Sequence, residues 1–77
     1  MAAVWTVKDS TGRLHTDLAC NSPLEVKRRI APGHYDPFRL QVSASYRELF
    51  DRAVNQVLAR EGWSIVRARV RGDQIFA

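Results

Sequence analysis

The chain has 77 residues, with 12 Lys and Arg against 8 Asp and Glu, giving a net charge of +4. Hydrophobic residues make up 45% and charged residues 26%, the balance of a folded domain rather than of a disordered tail. A single domain spanning 1–77 buries only about 60–65% of the surface its unfolded chain exposes, which excludes a two-domain enzyme, a closed barrel and a full dinucleotide-binding fold.

Ala3–Lys8 carries Val4, Trp5, Thr6 and Val7, all residues that favour strands. Asp9-Ser10-Thr11-Gly12 reads as a short connection, with Gly12 free to take positive φ. Arg13–Leu18 then alternates, with Leu14, Thr16 and Leu18 on one side and Arg13, His15 and Asp17 on the other. Ala3–Leu18 is therefore expected as a β-hairpin. Ser22-Pro23-Leu24-Glu25 starts a helix: Ser22 can accept from the amide of Glu25, Glu25 can reach back to the amide of Ser22, and Pro23 needs no N–H at the first helical position. Pro32-Gly33 ends that helix, and Gly33–Pro37 is expected as a loop.

Phe38–Ala44 alternates without a fault, Phe38, Leu40, Val42 and Ala44 against Arg39, Gln41 and Ser43, and this predicts a half-buried strand. Ser45-Tyr46-Arg47-Glu48 reads as a second capping box. Behind it, Tyr46, Leu49, Phe50, Ala53, Val54, Val57 and Leu58 recur at helical spacing, with Arg47/Asp51 and Glu48/Arg52 paired on the outer face. Gly62 stops this helix as a left-handed cap. Ser64–Arg71 predicts a strand with Val66, Ala68 and Val70 on one face and Ile65, Arg67, Arg69 and Arg71 on the other. Gly72-Asp73 turns the chain into a short strand, Gln74–Phe76. The order β-β-α-β-α-β-β defines an α+β fold, a small antiparallel or mixed sheet of four or five strands with two helices packed on one face.

Ten of the 12 basic residues are Arg. Arg67, Arg69 and Arg71 form the most specific feature, because alternate strand residues project from one face about 6.5–7 Å apart. Such a row suits carboxylates of a partner or a phosphate backbone. The plainer reading is a solvated strand face whose arginines pair with carboxylates of the same fold. Lys27, Arg28 and Arg29 extend the basic surface, or simply complement the dipole at the end of their helix. Tyr35, in a loop, and Ile65, on the arginine side of its strand, are the candidate apolar anchors that docking requires. Trp5, Phe38, Phe50, Trp63 and Phe76 sit in patterns that read as core.

His15, Asp17, Cys20, His34 and Asp36 offer metal-compatible atoms, but their spacing matches no ligand pattern, and neither metal nor cofactor is expected. A chain this small leaves little room for a catalytic cleft, and it has no nucleophile elbow or phosphate-cradling loop, so no enzyme is expected. With one cysteine and no apolar leader or membrane span at the N-terminus, a cytoplasmic setting is expected, that of the host if the chain is phage-encoded. The expected function is a non-enzymatic protein-binding module that sets a cationic face on the acidic surface of a partner and blocks it. Phage-encoded inhibitors of bacterial machinery, anti-CRISPR proteins among them, share this size and charge, though no motif. The alternative is a nucleic-acid-binding protein that contacts phosphates without sequence preference. A homodimer is a further possibility, since a core this small gains from a second copy.

Overall fold

The computed structural model of the chain describes residues 2–72 and 74–76. Strands β1 (Ala2–Lys8) and β2 (Leu14–Cys20) lead into helix α1 (Pro23–Ile30), a single 3-10 turn (Pro32–His34) and helices α2 (Pro37–Val42) and α3 (Ala44–Glu61). Strands β3 (Ser64–Arg71) and β4 (Gln74–Phe76) complete the chain. The four strands form one antiparallel sheet in the order β2-β1-β3-β4. This is the α+β architecture that the strand and helix patterns imply. Of the expected Gly72-Asp73 turn, Asp73 lies outside the described residues.

The first hairpin is closed by one side chain. Asp9 Oδ1 accepts from the Thr11 hydroxyl at 2.6 Å, the Thr11 amide at 2.9 Å and the Arg13 amide at 3.0 Å, and Gly12 takes φ +87°. Beyond the turn the β1–β2 register breaks: Val7 faces His15, but Trp5 faces Cys20, so Thr6 alone stands opposite Thr16–Ala19. The bulge interrupts the alternation expected of β2. His15, expected on the same face as Arg13 and Asp17, is half-buried while both of those are exposed, and its ring centroid lies 5.0 Å from that of Trp63. The Thr6 hydroxyl, fully buried, donates to the His15 carbonyl left over by the broken ladder.

The pairing of β1 with β3 is regular over seven residue pairs, from Ala2↔Val70 to Lys8↔Ser64. Paired residues lie on the same side of an antiparallel sheet. Val4, Thr6, Val66, Ala68 and Val70 therefore line one face, and Thr6 and Ala68 are fully buried there. On the helical side Val26 of α1 is fully buried, and Phe50 and Val54 of α3 pack with Ala31. Ile30, Tyr35, Leu40, Ala53 and Leu58 surround that second cluster. Along the shortest axis the molecule measures 16 Å, the thickness of one sheet and one helical layer at about 10 Å between layers.

The strand expected over Phe38–Ala44 is a helix. Asp36 caps it, with Oδ1 accepting from the amides of Phe38 at 3.1 Å and Arg39 at 3.2 Å, and Pro37 occupies its first turn. Only Leu40 turns inward to the core; Phe38 and Val42 are 70% and 63% exposed. Period-two alternation is thus accidental here, since the local start signal wins over a strand pattern that no neighbouring strand completes. Three helices replace the two expected. The cap of α3 moves accordingly from Ser45 to Ser43, whose hydroxyl accepts from the Tyr46 amide at 3.1 Å. The long helix ends where expected: Gly62 takes φ +70°, and the Trp63 amide donates to the Leu58 carbonyl at 2.8 Å.

Candidate docking face

The second face of the sheet is the one that carries the arginines of β3. Trp5 pairs with Arg67, Ala3 with Arg69, Arg69 with Phe76, and Arg71 with Gln74, so all of these project from the same side. Arg67, Arg69 and Arg71 are exposed, while their strand neighbour Ala68 is fully buried on the opposite side. Phe76 is 45% exposed beside Arg69, and Trp5 is half-buried beside Arg67. Ile65 continues the arginine row by one position, half-buried opposite the fully buried Val7. The face is therefore a cationic row along β3 with an aromatic side chain on each flank and an apolar end.

Among the described residues no ion pair involves Arg67, Arg69 or Arg71. The three cations of α1 are engaged within the fold. Lys27 Nζ lies 3.1 Å from Asp51 of α3, Arg28 reaches Glu25 at 2.7 Å, and Arg29 donates to the Asp17 carbonyl at 3.2 Å. The Arg28 guanidinium also lies 5.6 Å from the centroid of the Tyr35 ring. Lys27, Arg28 and Arg29 thus tie α1 to α3, to its own first turn and to β2, and they do not extend the arginine row. Arg47, expected to pair with Asp51, instead donates to the Leu40 carbonyl at 2.9 Å and closes the end of α2. Glu25 completes only half of its capping box: Ser22 accepts from its amide at 3.3 Å, but its carboxylate goes to Arg28.

Tyr35, expected as an exposed anchor, is half-buried, and its ring meets Phe50 edge-on with centroids 6.0 Å apart. It belongs to the core beneath α3 rather than to a docking surface. The aromatic groups beside the arginines are instead Trp5 and Phe76, both of which read as core in the sequence. Phe76 was legible: a two-residue connection at Gly72-Asp73 sets Gln74 opposite Arg71 and hence Phe76 opposite Arg69. Trp5 was not, because its face depends on the β1–β3 pairing across fifty-odd residues of chain.

No helix among the described residues is long and apolar enough to cross a membrane. No protein family, curated protein or solved structure matches this chain.

Proposed function

We propose that this chain is a non-enzymatic protein-binding module that sets the β3 face of its sheet against an acidic surface of a partner and blocks what normally binds there, in the manner of small phage-encoded inhibitors. One observation carries the reading: three exposed guanidinium groups stand in a row on one face of β3, without a carboxylate partner among the described residues. Desolvated arginine pairs with carboxylates two-pronged, and Arg, Trp and Phe beside one another are the composition of an interface centre. Trp5 and Phe76 supply the apolar contact that a purely ionic surface lacks.

A tagged chain used as bait in candidate host lysate, with and without nuclease, tests this. The expected result is a protein band that survives nuclease and disappears with R67A/R69A/R71A. A band kept by that variant removes the β3 face from the account. Recovery that vanishes with nuclease favours the second reading, a protein that contacts a phosphate backbone through the same row, which the 6.5–7 Å pitch of about one extended residue pair also suits.

A further inference from the structure

The chemistry of the partner segment is written in the order of side chains along β3. The row runs Ile65, Arg67, Arg69, Arg71, with Trp5 of β1 beside Arg67 and Phe76 of β4 beside Arg69. We infer that this face takes an extended acidic segment of a partner protein laid along β3, with an apolar residue over Ile65 followed by acidic residues at every second position. The inference rests on the docking reading above and deepens it by naming what is docked.

The pitch selects an extended chain. Alternate residues of a strand repeat about every 6.5–7 Å, so carboxylates at i, i+2 and i+4 of an extended segment meet all three guanidinium groups in step. A helix rises 1.5 Å per residue, so side chains at i and i+4 are about 6 Å apart, and the next in the series, i+8, has rotated by about 80° away from the row. A helical partner therefore satisfies two arginines and leaves the third over its shoulder.

The end of the row selects a polypeptide. A phosphodiester strand carries a charge on every unit and gains from a fourth cation at the next position. Here the next position is Ile65, set beside the buried Val7. Trp5 is half-buried, so its ring is less open than a platform for a stacked base requires. An apolar side chain followed by alternating carboxylates matches this sequence of surfaces, and a chain of amino acids can supply it.

The test uses the full chain and fluorescein-labelled peptides in anisotropy titrations at low salt. One peptide has the pattern Val-Thr-Glu-Thr-Glu-Thr-Glu, one has the same residues with the glutamates contiguous, and a short oligothymidylate serves as the nucleic-acid probe. The patterned peptide is expected to bind about tenfold or more tighter than both others. Replacing its middle Glu by Lys is expected to weaken binding to the native chain by about tenfold and to restore it on the R69E variant. Equal binding of the patterned and contiguous peptides, tighter binding of oligothymidylate, no measurable binding of the patterned peptide, or rescue on R67E or R71E in place of R69E each overturns the inference. The docking reading itself is judged separately, by whether R67A/R69A/R71A loses the partner recovered from lysate: it stands if that loss occurs while the patterned peptide fails.

Discussion

Asp9 shows how much of the sheet rests on single side chains. Its carboxylate closes the first hairpin, and the Thr11 hydroxyl bond, aided by the amides of Thr11 and Arg13 and by His15 Nε2 at 3.1 Å, lowers its pKa to about 2 against the opposing effect of partial desolvation. A carboxyl group whose folded pKa is depressed stabilises the fold above its unfolded pKa, near 3.9, and loses that contribution as pH falls through the folded value. The urea midpoint is therefore expected to fall between about pH 4 and pH 2, and the D9N variant to lose part of the midpoint at neutral pH and to show a flatter acid limb. A D9N curve that parallels the native one through that window contradicts the role given to Asp9. Phe50 is the apolar counterpart, fully buried at the centre of the helical cluster. Phe→Ala in such a site costs about 3–5 kcal/mol, against a total of about 4–12 kcal/mol for a chain of this length at 0.05–0.15 kcal/mol per residue. F50A is accordingly expected to lose most of its cooperative unfolding transition, read by tryptophan fluorescence in urea.

At the scale of elements, the caps at Ser22 and Gly62 were legible and helix α2 was not. Ser22-Pro23 and Gly62 mark the boundaries they promise, because the groups that satisfy a helix end lie within a few residues of it. The alternation at Phe38–Ala44 failed because alternation specifies a strand only where a neighbouring strand and a second layer cover one face. Asp36-Pro37 offered a helix start at the same place, and Leu40 of the short α2 could pack without any ladder. Two measurements separate these descriptions. S43A is expected to destabilise the chain by about 1 kcal/mol as the loss of a helix cap, with S45A nearly neutral. F38S and V42S are expected to leave the urea midpoint within about 0.5 kcal/mol of native, since both side chains face solvent; a loss of 2 kcal/mol or so on either would be the signature of a buried strand face. The β3 pattern succeeded for the complementary reason. Its two faces do differ, with Ala68 buried on one and Arg67, Arg69 and Arg71 exposed on the other, so its alternation records a real difference in surroundings. What the strand could not reveal was its company: Trp5 comes to Arg67 only through pairing with the far end of the chain.

The whole molecule is a two-layer plate, and the asymmetry of the plate is the origin of the proposed function. Helix α1 packs on β1 and β2 and holds Lys27, Arg28 and Arg29 in contacts with Asp51, Glu25 and the Asp17 carbonyl. The other side keeps Arg67, Arg69 and Arg71 exposed, with no ion pair to any of them among the described residues. Ionic contacts proposed there are screened within about 8 Å at physiological salt, so partner recovery is expected to fall between low and moderate salt while the aromatic contacts of Trp5 and Phe76 keep a residual fraction. The arginines are surface residues, so R67A/R69A/R71A is expected to unfold within about 0.5 kcal/mol of native per substitution, which separates lost binding from lost fold. The central claim is tested most directly by two-dimensional NMR of the labelled chain titrated with its recovered partner. The backbone amides of Arg67, Arg69 and Arg71, the Trp5 indole and the Phe76 ring are predicted to shift or broaden together, with Lys27, Arg28 and Arg29 unmoved. Perturbations centred on α1, or on Phe38 and Val42 of α2, with the β3 signals unchanged, would contradict the account.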